Sequence, residues 1–164
     1  MATFNEKLSR YAELAVKVGV NIQPDQKLYI AASIDSAPFV RLIVKKAYEE
    51  GARQVFVDWS DDVISRTRFE KAPEDSFAEY PEWKIQEREQ LAAQGAAFIS
   101  VVSQSPDLLK GIDSKRISAS QKATGQALSK YRQYVQSDKI SWCVLAAPSE
   151  QWAKKVFPDL PENE

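Results

Sequence analysis

The sequence predicts a doubly wound α/β fold, in which an open and mainly parallel β-sheet is flanked by helices. Two observations support this prediction: four short apolar segments of strand-like composition recur along the chain, and amphipathic helical segments separate them. Strands joined by helical crossovers pair in parallel, because a parallel neighbour needs a connection long enough to return to the same end of the sheet. A chain of 164 residues, 44% of them hydrophobic, can bury a core of its own. We therefore expect residues 1–164 to form a single α/β domain.

The first helix is predicted over about residues 4–18. Thr3 and Glu6 are spaced as in a capping box, apolar residues then recur at helical spacing, and Gly19 supplies a left-handed stop. The same kinds of signal set the remaining boundaries. In the first half of the chain we expect a strand at 27–32, a helix from 38 that ends at Gly51, a strand at 53–59, a short helix from Asp61 or Asp62 to 70, and a loop at 71–80 with at most one turn of helix. In the second half we expect a helix at 81–94, a strand at 96–102, a helix from Asp113 or Ser114 to 134, a strand at 140–146, a final helix from 148, and a proline-broken tail at 157–161.

Two of these elements carry a prediction about packing. The third and fourth strands are almost continuously apolar, which is typical of strands that are buried on both faces of a parallel sheet. In the helix at 81–94, Trp83, Ile85 and Leu91 are expected to point inward. Together these features predict a Rossmann-like sheet with helices on both sides.

The composition excludes several classes of function. Lys and Arg number 22 and Asp and Glu 23, so the chain lacks the basic excess that binding to a nucleic-acid backbone or an anionic membrane requires. Cys143 is the single cysteine, so the chain forms no internal disulfide, which suits a reducing cytosol. The first eight residues do not resemble a secretory signal, and the longest apolar run, 142–147, is far too short to span a membrane. We expect a cytoplasmic protein.

The chain contains no histidine. This excludes a zinc site of the His-Glu-x-x-His type, a Ser-His-Asp triad and a Cys-His pair among these residues. A site built from carboxylates alone could still hold magnesium or calcium. We assign no catalytic, cofactor-binding or metal-binding residue to the chain.

In an open parallel sheet, ligands bind at the carboxyl ends of the strands near the switch in strand order. The segments expected there are Ser33–Ser36, Trp59–Asp62, Ser103–Pro106 and Pro148–Glu150. Ser33, Asp35 and Ser36 precede a helix, so they could help its free amides to bind an anion, or they could simply cap that helix, which is the interpretation we favour. The chain has no glycine-rich phosphate-binding motif, so a nucleotide site is weakly supported.

Three further features have two interpretations each. Asp58, Asp61 and Asp62 could bind magnesium, but we favour a solvent-facing Asp58 beside a helix-capping aspartate. Cys143 could be a nucleophile, but no histidine can activate it, and a buried inert thiol is the favoured interpretation. The four tryptophans could be sugar or base platforms, but core or interface positions explain them better. They are Trp59, Trp83, Trp142 and Trp152.

Several segments resemble one peptidase family. Residues 142–153 (WCVLAAPSEQWA), followed by Val156-Phe157-Pro158, are similar to the end of the N-terminal domain of the M29 metalloaminopeptidases. Residues 11–21 (YAELAVKVGVN) resemble the opening helix of that family, and residues 55–62 (VFVDWSDD) resemble its second strand and the turn after it. The resemblance extends over essentially all 164 residues.

This resemblance implies a cytoplasmic, dimeric peptidase more than twice this length, which removes N-terminal amino acids with two divalent metal ions such as zinc, cobalt or magnesium. Its metal ligands are glutamates, histidines and an aspartate of a C-terminal domain, and no position of this sequence matches them. The chain is then expected to be an inactive N-terminal domain that encloses the site or assembles the dimer. Apolar surfaces that meet the C-terminal domain would then be exposed in the isolated chain.

Three alternatives remain open. The chain could be a stand-alone module that binds a small anion at Ser33–Ser36, a purely architectural domain for a dimeric partner, or a carboxylate-only metal enzyme built around Asp58, Asp61 and Asp62.

Overall fold

The computed structural model describes residues 2–159, and the end of the predicted proline-broken tail, at 160–161, lies outside the described residues. Within these residues the chain forms seven α-helices and four strands, with two helices in succession between the second and third strands and again between the third and fourth. The helices are α1 (Phe4–Leu14), α2 (Ala37–Glu49), α3 (Asp62–Lys71), α4 (Glu82–Ala93), α5 (Ser114–Ala127), α6 (Ser129–Gln136) and α7 (Glu150–Val156), and the strands are β1 (Lys27–Ser33), β2 (Gln54–Ser60), β3 (Ala97–Val102) and β4 (Trp142–Ala146).

The strands form one sheet in the order β2-β1-β3-β4, and every pair within it is parallel. Tyr29 lies opposite Phe56 on one side and Phe98 on the other, and Phe98 lies opposite Trp142. The order reverses direction between β1 and β3, which makes their carboxyl ends the switch point of the sheet. The predicted α/β fold with an open parallel sheet is therefore confirmed.

Each face of the sheet carries its own apolar core. One core joins α1 and α2 to the sheet and includes Val16, Ile30, Ile43 and Ile99, which are at most 1% exposed. The other joins α4 and α6 to the opposite face through Tyr29, Phe98, Leu91 and Tyr131. The sheet is thus packed against helices on both of its faces.

The predicted capping box at the start of α1 is present, with the Glu6 amide donating to the Thr3 hydroxyl at 3.2 Å. The predicted role of Gly19 is wrong, because the helix ends in a π-helical turn, Ala15–Gly19, and Gly19 does not adopt a positive φ. A Cβ at this position would lie 2.9 Å from the sulfur of Cys143. Gly19 is therefore explained by the close approach of β4, not by a left-handed conformation.

Three further predictions from the sequence, one about a helix boundary and two about packing, are also wrong. The helix expected at 113–134 is interrupted at Leu128, so α5 and α6 are separate helices. Trp83 does not point inward, since it is 63% exposed. Neither the third nor the fourth strand is buried on both faces, because Val102 of β3 and Trp142 and Val144 of β4 are 38%, 46% and 60% exposed. Local apolar composition could not reveal this, because it does not show which other elements pack against a strand.

Candidate functional site at the carboxyl edge of the sheet

The serine-rich segment after β1 is engaged in its own loop. Ile34–Ser36 form a turn of 3₁₀-helix, and the buried Ser36 hydroxyl donates to the Ser33 carbonyl at 2.7 Å. The Ala37 amide donates to the Ile34 carbonyl, and Pro38 has no amide hydrogen to offer. The start of α2 therefore presents few free donors to an anion.

The acidic residues after β2 are spread over different partners. Asp61 caps α3 as predicted, because its carboxylate accepts from the Ile64 amide at 2.9 Å. Asp62 accepts from the Ser105 amide at 2.7 Å and so ties α3 to the loop after β3. Among residues 2–159, no group of three acidic or cysteine side chains could hold a metal ion. The structure therefore does not bring Asp58, Asp61 and Asp62 together as a magnesium site.

Three buried polar atoms at this edge have no hydrogen-bond partner within the described part of the chain. They are the hydroxyl oxygens of Ser33 and Ser103 and one carboxylate oxygen of Asp62. Ser33 and Ser103 follow the neighbouring strands β1 and β3 and are 2% and 4% exposed. Buried polar groups are usually partnered in native proteins, so this edge can offer hydrogen bonds to a small polar molecule.

Asp58 does not face solvent as the sequence suggested, but lies in a half-buried polar cluster. Its carboxylate accepts from the Tyr29 hydroxyl and from the Lys84 ammonium, both at 2.9 Å. Arg88 contacts the same carboxylate at 3.5 Å and stacks over the Tyr29 ring. The cluster borders a cleft of about 780 Å³ that Arg68, Lys84 and Arg88 also line.

The environment of this cluster shifts the pKa values of Asp58 and Tyr29. Burial alone would raise the pKa of Asp58, but the Lys84 ammonium and the Tyr29 hydroxyl outweigh burial, so the pKa lies below its ordinary value of 3.8. Burial raises the pKa of Tyr29, which therefore stays a phenol and a hydrogen-bond donor. An ionised carboxylate, a phenol and two cations thus hold α4 to the sheet. Sequence reasoning missed Tyr29, Lys84 and Arg88, because their proximity depends on the pairing of β1 with β2.

The four tryptophans lie on four separate elements, and Cys143 lies beside one of them on β4. Burial raises the pKa of the partly buried Cys143, which keeps it a thiol, in agreement with the inert interpretation. Trp152 donates from its indole nitrogen to the Gln104 carbonyl at 2.6 Å. The other three tryptophans lie on β2, α4 and β4 and are at least 40% exposed, so none of them is a core residue.

No helix in the described part of the chain combines the length and apolar character needed to cross a membrane. Comparison with known proteins gives a consistent result. Residues 4–164 match the family model described as thermophilic metalloprotease (M29). The chain is 59% identical to aminopeptidase AmpS of Bacillus subtilis and 46% identical to aminopeptidase 2 of Geobacillus stearothermophilus, in both cases over all of its 164 residues.

The chain spans 40% of the length of these two relatives. Its structure matches that of wild-type AmpT from Thermus thermophilus with a TM-score of 0.92 at 32% sequence identity, and the match covers 99% of this chain and 41% of that one. The predicted resemblance is therefore confirmed, and the chain belongs to the M29 family of metalloproteases.

Proposed function

We propose that this chain is the N-terminal, non-catalytic domain of a cytoplasmic metal-dependent aminopeptidase that removes N-terminal amino acids from peptides. In this proposal the domain does not hydrolyse peptides alone, and it encloses the active site or assembles the dimer of the complete enzyme. Its family membership supports the class of the complete enzyme. Its coverage of 40% of the relatives supports a domain rather than a whole enzyme.

The proposed inactivity of this chain is inferred from the side chains that it offers as metal ligands. A two-metal hydrolytic centre needs several carboxylate or imidazole ligands around adjacent ions. This sequence has no histidine, and residues 2–159 contain no group of three potential ligands. The residues present therefore do not fit the metal centre that the family implies, and we assign no step of hydrolysis to them.

The alternative of an anion-binding module receives little support from the geometry. The Ser36 hydroxyl is already used within the loop. The two segments that follow β1 and β2 also carry three carboxylates, on Asp35, Asp61 and Asp62, which would repel an anion. A ligand of the unpartnered polar atoms would more readily be neutral or a hydrogen-bond donor.

Hydrolysis of a panel of aminoacyl-p-nitroanilides tests the proposal. The 164-residue chain and a version extended through its natural reading frame are compared with added zinc, cobalt or magnesium, and chelator-treated samples serve as controls. We expect turnover by the extended protein alone. Metal-dependent turnover by the short chain would contradict the proposal, and the variant Asp61→Asn would then test the carboxylate-only alternative.

A further inference from the structure

One side of β3 and β4 is only partly covered in the described chain. The strand register places Ser100 opposite Val144 and Val102 opposite Ala146, with Trp142 further along the same side of β4. All five side chains are exposed, and Val144 is 60%, Trp142 46% and Val102 38% exposed. We name this set of five residues the open face.

The open face contrasts with the other side of the same two strands. There Ile99, Val101 and Leu145 are at most 8% exposed and pack into the core beneath α1 and α2. On the side of the open face, α6 packs against Phe98 but leaves the carboxyl halves of β3 and β4 bare. Strands of parallel sheets are normally buried on both faces, so this side lacks a layer.

The surface next to the open face is shaped to receive a side chain. A hollow of about 250 Å³ lies between α6 and β4, with Tyr131, Val135, Trp142 and Val144 among its lining residues. None of the five residues of the open face is charged, and the hollow is also lined by Arg132 and Gln136 at its α6 side. This chemistry fits an apolar protein element and does not fit a polyanion.

Two comparisons indicate what covers this surface. The relatives contain this chain as 40% of their length, so most of each relative is additional polypeptide. The AmpT structure contains the same fold with a TM-score of 0.92 within a longer chain. The fold of this part is thus similar in a chain that contains additional polypeptide. That additional polypeptide is a source of residues that could cover β3 and β4.

We propose that the open face is the docking surface for the part of the enzyme that this chain lacks, which places an apolar side chain in the hollow beside Trp142. This inference rests on the proposed function, because it assumes that the complete protein has that further part. A second copy of the chain is the competing occupant.

Thiol labelling tests the inference. Val144→Cys is combined with Cys143→Ala, so that the introduced cysteine is the only thiol of the short chain, and the same changes are made in the extended protein. Lys45→Cys is the matched control, since Lys45 lies on α2 against the other face of the sheet with a side chain that is 72% exposed. Circular dichroism verifies that each variant folds.

We expect maleimide to modify the thiol introduced at position 144 about tenfold more slowly in the extended protein than in the short chain, because a covered thiol reacts only after the interface opens. The control position should react equally in both proteins. Equal rates at position 144 would overturn the inference even if the extended protein hydrolyses peptides. Protection without hydrolysis would instead refute the proposed function alone.

A second copy of the chain on the open face would give a different result. Protection of the introduced thiol in the short chain at micromolar concentration, together with a dimer mass in light scattering, would overturn the inference in favour of a second copy. A further variant, Val144→Asp, should leave the melting temperature of the short chain nearly unchanged and lower that of the extended protein. An equal effect on both proteins would contradict docking at this face.

Discussion

Replacing Asp58 by asparagine removes the charge at the centre of the half-buried cluster while keeping its shape. Asparagine can still accept from the Tyr29 hydroxyl, but its amide group then faces the Lys84 ammonium, donor against donor. A hydrogen bond to a charged group contributes about 1.5–3 kcal/mol. Asp58 and Lys84 keep 22% and 29% of their side-chain surface in water. We therefore expect a loss of about 2 kcal/mol in the free energy of unfolding at neutral pH, in the middle of that range because water partly replaces the lost partner.

The pH dependence gives the same prediction an independent check. The pKa of Asp58 is lowered in the folded protein, so its contribution is present above the ordinary value of 3.8 and is lost as the pH falls through the folded pKa. The difference between the wild type and Asp58→Asn should therefore be largest near neutral pH and shrink in acid. Urea denaturation followed by circular dichroism, repeated across this pH range, measures it.

The exposed pair of Asp107 and Lys155 is the matched control. Its N–O distance is 2.9 Å, equal to that between Lys84 and Asp58, but both of its side chains are about half exposed. Asp107→Asn should produce no change that denaturation can resolve, because water screens an exposed pair. Equal effects of the two substitutions, or a loss at Asp58 that persists unchanged in acid, would refute the argument from burial.

Two further substitutions test the packing at the edges of the sheet. Gly19→Ala should destabilise the chain by about 1–2 kcal/mol, because the new Cβ meets the Cys143 sulfur at 2.9 Å, and the loss should shrink in a Cys143→Ala background. Additive effects in that double-mutant cycle would exclude the contact as the cause. Ser36→Ala should cost about 1 kcal/mol through its lost bond to the Ser33 carbonyl. Ser33→Ala, which removes an unpartnered hydroxyl, should change the unfolding free energy by less than about 0.5 kcal/mol, and a larger loss would indicate a bound partner.

The sequence predicted the elements well because their signals are local. The cap of α3 by Asp61 and the short turn at 74–78 both follow from neighbouring residues. The division of the long helix at Leu128 was missed, although Gly125, a weak helix former, lies just before it. A glycine within a helical pattern lowers the helix propensity without marking the residue at which the helix stops.

The candidate site could be predicted only in part, because its contacts join distant segments. The carboxyl-edge segments were named correctly, since the position of strand ends follows from the order of the elements. The cluster of Asp58 with Tyr29, Lys84 and Arg88 depends on the register of β1 with β2 and on where α4 crosses the sheet. A single sequence contains no local signal for the strand register or for the position at which a helix crosses the sheet.

The wrong prediction for β4 is the most informative, because the composition of the strand and the exposure of its side chains disagree. The apolar composition of β4 predicted burial on both faces, yet Trp142, Val144 and Ala146 are exposed in the described chain. Burial of an apolar strand face is favourable whether the residues that cover it come from the same domain or from another part of the protein. If the open face docks the further part proposed above, this apolar side of β4 is buried in the complete protein, although it is exposed in the described residues. The apolar composition of β4 and its exposure here would then both be explained by that one interface.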